Sequence, residues 1–514
     1  MISSILNSTV DKSDPFVAVV VLSVAVVSWR LLLGQPPEKT KIRRRMSFNS
    51  RILIEGSFPE SAKVAQPIVN VAMFFPTCPT LKETKKVAEV LLEVDRFRSI
   101  MVRDASGKHE FAEKEGDVDL DQHVLPCVAS SERDMYGRVN NIIKDEFDGS
   151  DGIPLFRFVC IENKGKGPSC VLFRAHHVIG DGLALVGAVN RIFKDKSGAP
   201  VKIDIAEKMR GGSTGPNDKS TKTSLIGAAM EGLGMATKAF AAFVHVLTLG
   251  MTSFDSETVI SKPSATITMD KDSRKLVFFP TLKLDFIRAL KKAAGATVND
   301  ILMAGTAGAI RRYSDTRGVT TPQKVRALLP VAFPRSRAEL DDPSTSMKNK
   351  WAFVSAHLPT GRDTAVDRLT ETAREMQAVK ESGRVLVQQW VQETILPYLP
   401  KFLAQQTAYD IFSRHSMVFS NVPGPQQEMY FANQRMCGLH VLFPNLVNQT
   451  MIISYGGGIF MNMVLDPALV PDTQPIVDAF KAEIRDLATK FKVPCEDEDM
   501  FMLPSKESAT IGMV

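Results

Sequence analysis

The residues of this chain best suited to chemistry are two adjacent histidines, His176 and His177, with Asp181 four positions after the second, in the stretch Phe173-Arg174-Ala175-His176-His177-Val178-Ile179-Gly180-Asp181-Gly182. A histidine at a strand end can aim one ring nitrogen into a cleft, and its ordinary pKa near 6.5 lets it take and return a proton at neutral pH. That chemistry suits deprotonation of a hydroxyl. An aspartate in the following turn can brace the loop through Asx-type hydrogen bonds or an arginine pair. Gly180 and Gly182 admit unusual backbone conformations and close approach of another segment. Two histidines could simply be satisfied polar residues, but the coincidence of four fixed residue types favours the functional reading.

These residues need a strand before them and a helix after them. Cys170 to Arg174 reads as the strand and Leu183 to Phe193 as the helix. Upstream, Ile68 to Phe75 reads as a strand, Leu81 to Val94 as a helix and Phe97 to Val102 as a strand. A helix over Ser131 to Phe147 leads into a turn at Pro154-Leu155-Phe156 that enters another strand. Residues 194 to 222, rich in Lys, Gly, Ser, Asp and Pro, mark a boundary. Leu225 to Leu249 is an apolar run whose thin polar face favours a packed linker helix over a segment lying on a membrane; His245 within it reads as structural. The second half alternates again: a strand over Leu276 to Phe279, a helix over Leu284 to Ala294 ended by Gly295, and a helix opened by Thr297 or Asn299 as cap. Strands follow at Val325 to Val331, Trp351 to Leu358 and Met417 to Val422, the last running into Pro423-Gly424-Pro425. A hairpin spans Met451 to Leu465 through Gly456-Gly457-Gly458, and a helix from Pro475 to Phe491 closes the body.

At 514 residues the chain is too long for one ordinary core. With 44% hydrophobic and 23% charged residues it excludes wholesale disorder, and the net charge of +6 is modest. Much of that charge is local, in the basic run from Lys39 to Arg51. The six cysteines have no CxxC or metal-like spacing and read as reduced thiols, with Cys160 and Cys170 in the core. Phe16 to Leu33 is apolar and long enough to cross a bilayer once as a helix, and the basic run after it would keep the body cytosolic. The expected divisions are an anchor and tether over 1–50, a first lobe over 51–200, a linker over 201–265, a second lobe over 266–495 and a tail over 496–514. No metal constellation, phosphate loop or nucleic-acid signature appears in the sequence.

The His-His-x-x-x-Asp-Gly loop resembles the signature of the CoA-dependent acyltransferase superfamily. With Pro154-Leu155-Phe156, Val298-Asn299-Asp300 and Ser420-Asn421-Val422-Pro423-Gly424-Pro425, in that order, the chain resembles the wax ester synthase/diacylglycerol acyltransferase family over roughly residues 65 to 490. Two departures stand out. The family's Pro-Leu-Trp is Pro-Leu-Phe here, and its N-terminal Leu-Asp opening is replaced by Ser47-Phe48-Asn49.

The resemblance implies an α/β fold of two chloramphenicol-acetyltransferase-like lobes around a central cleft, to which the sequence adds an N-terminal transmembrane helix. It implies transfer of a long-chain acyl group from acyl-CoA, a co-substrate rather than a bound cofactor, to a fatty alcohol or diacylglycerol in wax ester or triacylglycerol biosynthesis. His177 would be the base, His176 its support and Asp181 the brace of the loop. Asn299, Gly182, Ser420 and Asn421 would contact substrate, with Asn299 polarising the carbonyl or orienting substrate. The expected partners are acyl-CoA, the acceptor and a membrane, with single-pass placement in the endoplasmic reticulum. The alternatives are another acyltransferase of the superfamily with a different acceptor and a membrane-tethered lipid-binding protein without activity.

Overall fold

The computed structural model describes residues 43–502 apart from 106, 150–151, 202–236, 238–239, 270–273, 321–323 and 334–346. Its first half comprises β1 (Arg43–Arg45), α1 (Phe48–Glu55), β2 (Ile68–Phe75), α2 (Leu81–Leu91), β3 (Ser99–Arg103), β4 (His109–Glu113), β5 (Val124–Ala129), α3 (Glu132–Ile142), β6 (Phe156–Asn163), β7 (Ser169–His176) and α4 (Gly182–Ile192). Its second half comprises β8 (Lys275–Phe278), β9 (Leu282–Lys283), α5 (Leu284–Ala294), α6 (Val298–Thr316), β10 (Arg326–Ala332), β11 (Trp351–His357), α7 (Ala365–Glu381), α8 (Arg384–Thr394), α9 (Lys401–Ser413), β12 (Met417–Val422), β13 (Tyr430–Phe431), β14 (Gln434–Arg435), β15 (Gly438–Leu442), β16 (Asn448–Tyr455), β17 (Gly458–Leu465) and α10 (Gln474–Lys490).

Two sheets organise these elements. The first runs β15-β2-β7-β6-β5, and the second runs β11-β10-β12-β16-β17-β8 with β9 also on β17. The histidine-bearing strand β7 is covered on both faces, which is why its sequence is apolar without alternation. Val171, Phe173 and Ala175 join one core cluster, while Cys170 and Leu172 join another on the opposite face. The lobes are not consecutive in the chain. Edge strand β15 comes from the C-terminal half yet pairs antiparallel with β2, with Gly438 opposite Phe74 and Leu442 opposite Asn70.

Local chemistry fixes the element ends. Thr80 and Glu83 form a capping box at the start of α2, and Thr297 and Asp300 form another at the start of α6. Gly295 ends α5 in the left-handed region at φ 64°. The β16–β17 hairpin turns on Gly456 and Gly457, both at positive φ, as a two-residue turn matched to strand twist requires. The end of β12 is locked to that hairpin: a Cβ on Gly424 would lie 2.0 Å from the Ser454 carbonyl oxygen.

The second lobe closes around a buried ion-pair cluster. Glu483 on α10 is fully buried and accepts two hydrogen bonds from Arg368 on α7, each at 2.7 Å, and one from Arg312 on α6 at 2.8 Å. Glycine at 308 makes room for this carboxylate, because a Cβ there would sit 2.0 Å from Glu483 Cδ.

The expected single-pass anchor in the endoplasmic reticulum membrane, with a cytosolic body, is corrected. No helix among the described residues is long and apolar enough to cross a membrane, and Phe16 to Leu33 lies outside them. The longest described helix, α6, spends its apolar length inside the second lobe, where Ile301 to Ile310 are buried. Of the apolar run Leu225 to Leu249, the helix over 240–248 is described, and it packs Phe243 edge-on to Trp390 of α8 with ring centroids 6.1 Å apart.

The buried carboxylate yields a stability prediction. Gly308→Ala displaces Glu483 and strands the Arg368 guanidinium, so unfolding free energy falls by about 3 kcal/mol or more, read from the denaturant midpoint.

Candidate active site

His176 is the last residue of β7, pairing across the ladder with Ile68, and His177 is the first residue beyond it. The backbone sets both side chains before any side-chain contact does. His176 N–H donates to the Leu155 carbonyl at 2.9 Å and His177 N–H to the Pro67 carbonyl at 2.8 Å. The Pro154-Leu155-Phe156 turn therefore holds the histidine loop from below. Gly180 follows where the loop passes under α4: a Cβ there would meet Ala184 Cβ at 2.8 Å and Met347 Cε at 3.2 Å.

The two imidazoles have different surroundings. His176 is buried, and its Nδ1 accepts the Val178 N–H at 3.1 Å, so any proton on the neutral ring sits on Nε2. Burial, with His177 adjacent, pushes its pKa down to about 3. It is a neutral brace at physiological pH. His177 is half-buried on the wall of a cavity of about 1150 Å³, between the edges of the Trp351 and Phe443 rings, with centroids 5.9 and 5.8 Å away. Burial lowers its pKa, while Asp181 and Asn349 partly restore it.

Asn349, just ahead of β11 in the other lobe, fixes the tautomer of His177. Its Nδ2 donates to the His177 carbonyl at 2.8 Å and to Ser50 Oγ at 3.1 Å. A carbonyl can only accept, so the amide nitrogen must face it and Oδ1 must face the ring. Oδ1 lies 2.9 Å from His177 Nδ1, which therefore carries the proton and leaves Nε2 as the basic nitrogen. Asn49 on α1 supports this arrangement by donating to the Asn349 and Trp351 carbonyls and to Gln392 Oε1. Nothing local in the sequence marks Asn349, which follows a polar stretch of sequence and belongs to no periodic pattern. Ser47-Phe48-Asn49, which stands where the family has its Leu-Asp opening, becomes the cap and first turn of α1, and Phe48 and Asn49 line the cavity.

Asp181 ties the two lobes together. Its Oδ1 accepts the Ala184 N–H at 3.0 Å, capping α4, and its Oδ2 accepts the Lys350 N–H at 2.8 Å. Gly182 lines the cavity, and a Cβ there would meet nothing. Ser420 and Asn421 also line it, whereas Asn299 stands behind the wall and accepts from Asn421 Nδ2 at 3.3 Å. Asn299 thus meets the cavity through Asn421. Most of the remaining wall is apolar, including Phe48, Ile52, Phe353 and Leu403. A base in a mostly apolar cavity suits removal of a proton from a lipid hydroxyl where water is scarce.

Comparison with known proteins identifies the family and the fold. The family model of the wax ester synthase/diacylglycerol acyltransferase catalytic domain matches residues 79–302, and that of the WS/DGAT C-terminal domain matches residues 347–488. A provisionally named diacylglycerol O-acyltransferase of Mycobacterium tuberculosis (strain CDC 1551 / Oshkosh) is 23% identical over 366 residues, 67% of this chain and 68% of the relative. A second from the same organism is 23% identical over 381 residues, 72% of this chain and 82% of the relative. Among solved structures, the wax ester synthase/diacylglycerol acyltransferase from Marinobacter aquaeolei VT8 superposes with a TM-score of 0.57 at 16% identity, covering 88% of this chain and all of that one. The first condensation domain of the calcium-dependent antibiotic synthetase gives 0.54 at 11% identity, covering 89% and 99%. At these identities the superpositions speak for the shared fold.

Two outcomes test the role of Asn349. Asn349→Ala frees the tautomer and lowers kcat/KM for ester formation about tenfold or more, measured with acyl-CoA and a long-chain alcohol. Asn349→Asp places a carboxylate at Nδ1, which favours imidazolium and raises the His177 pKa, so the acid limb of the kcat/KM profile moves to higher pH. In the wild type that limb lies below the ordinary histidine value, because burial favours the neutral base. On its two family-model matches, the chain belongs to the wax ester synthase/diacylglycerol acyltransferase family, whose members are acyltransferases.

Proposed function

We propose that His177 is the general base for transfer of a long-chain acyl group from acyl-CoA to the hydroxyl of a fatty alcohol or diacylglycerol. The observation that carries this reading is the orientation of His177: Nδ1 is held by Asn349 and the ring stands on the wall of the apolar cavity. Nε2 takes the hydroxyl proton as the oxygen attacks the thioester carbonyl. The tetrahedral intermediate collapses with cleavage of the C–S bond, and the departing CoA thiolate takes the proton back from Nε2. Acyl and proton both pass directly, so no covalent acyl-enzyme forms.

The remaining wall residues have parts in this scheme. Ser420 is buried on strand β12 with the cavity at its side chain, and its hydroxyl is placed to donate to the developing oxyanion. Asn421 presents the second polar group on the same strand end, and Asn299 holds it. Gly182 leaves space for substrate beside the histidine loop. Asp181 and His176 act on His177 through the loop rather than on substrate.

His177→Ala tests the scheme by product analysis with long-chain acyl-CoA and either acceptor. Ester formation falls by roughly 10²–10⁴-fold. Unchanged ester formation would sink the mechanism.

A further inference from the structure

One polar cluster on the cavity wall is not used by the proton transfer. Gln449 on β16 is 3% exposed and Asn445, just before that strand, is 7% exposed, yet both line the cavity. Strand alternation explains their direction: Gln449, Met451 and Ile453 face the cavity, while Ile452 packs into the core of the second lobe.

Hydrogen bonding fixes which way both amides point. Asn445 Oδ1 accepts the backbone N–H of Leu446 at 2.8 Å, so its Nδ2 must be the atom that meets Gln449. That nitrogen donates to Gln449 Oε1 at 3.1 Å. The Gln449 amide is thereby oriented with its NH₂ away from Asn445, and this NH₂ meets only the Met451 thioether sulfur, at 2.9 Å. A thioether is a weak acceptor. Two N–H donors are thus buried at the wall of an apolar cavity without a strong acceptor, which is costly unless a ligand supplies one. Two other amides on the wall are spent inside the protein: Asn49 on Asn349, Trp351 and Gln392, and Asn421 on Asn299.

The cluster shares the cavity wall with His177 and Ser420. The Phe443 ring is 5.8 Å from that of His177, and Asn445 is two residues further along, a chain span of at most about 7 Å. Gln449 pairs with Val418 on β12, two residues before Ser420. An acceptor whose hydroxyl sits at His177 occupies the same cavity whose wall carries the Gln449 amide.

We propose that Gln449, oriented by Asn445, donates a hydrogen bond to an ester carbonyl of a glycerolipid acceptor and so favours diacylglycerol over fatty alcohol. This rests on the acyltransferase reading above and names the acceptor class that the site selects. The two acceptors differ at this point. Diacylglycerol carries ester carbonyls a few bonds from its free hydroxyl, whereas a fatty alcohol offers only methylenes after its one hydroxyl. Seating the alcohol leaves the amide unsatisfied against an alkyl chain, and seating the glycerolipid satisfies it.

The test compares kcat/KM for diacylglycerol and for a long-chain alcohol, with the same acyl-CoA, in the full-length wild type and in Gln449→Leu. The ratio of diacylglycerol to alcohol is expected to fall about tenfold or more in the variant. An unchanged ratio, whether both activities persist or both fall together, overturns the proposal, because a merely structural amide would affect both acceptors alike. A second measurement needs no variant. Wild-type protein given a dialkylglycerol, in which ether oxygens replace the ester groups, is expected to lose a similar factor against diacylglycerol, and equal use of the two overturns the proposal. Wild-type protein forming no ester with any acceptor would instead refute the acyltransferase reading beneath it.

Discussion

The reciprocal pair of hydrogen bonds between Asn349 and His177 is the contact on which this site depends. One amide holds both the carbonyl and the ring of the same residue, so it fixes the position of the histidine and the nitrogen that carries its proton. The two partners lie 172 residues apart, on opposite lobes, so the proposed base is held this way only when the lobes are docked. Asp181 makes the same connection from the other side of the loop by accepting the Lys350 N–H, next in sequence to Asn349. Two short side chains thereby tie the histidine loop of one lobe to the start of β11 in the other.

The cavity adds the second requirement, a mostly dry environment in which a weak base can deprotonate an alcohol. Burial would by itself make His177 a poorer proton acceptor, and Asp181 and Asn349 oppose that shift. The balance keeps the ring neutral and ready at physiological pH. His176, deeper and without such compensation, is held neutral and serves as structure. Adjacent histidines of identical chemistry thus differ in surroundings: both line the cavity, but His176 is buried and His177 only half-buried.

Much of this was legible in the sequence where local rules dominate. Strand Ile68–Phe75 and helix Leu284–Ala294 have the ends expected from their apolar spacing and the glycine after the helix. The capping box at Thr297 and the Gly456-Gly457 turn likewise follow from residue type. What escaped is long-range. Strand β15 crosses into the other lobe's sheet, and no local pattern names a partner so distant in the chain. Helices α8 and α9 are broken up by Pro397 and Pro400 and mix glutamines with apolar residues, which blurs a 3.6-residue period. Asn349 carries no local signal at all, and Asn299, marked by its motif, stands one side chain behind the wall. The expected membrane span remained a statement about apolar length alone, and no described helix supplies one.

The central claim is that Asn349 sets His177 as a neutral base protonated on Nδ1. Nitrogen NMR of histidine-labelled protein at pH 7, with the His177 resonances assigned by their loss in His177→Ala, reads that state directly. The account predicts a neutral ring with Nδ1 protonated and Nε2 bare. A ring protonated on Nε2, or an imidazolium at that pH, would contradict it.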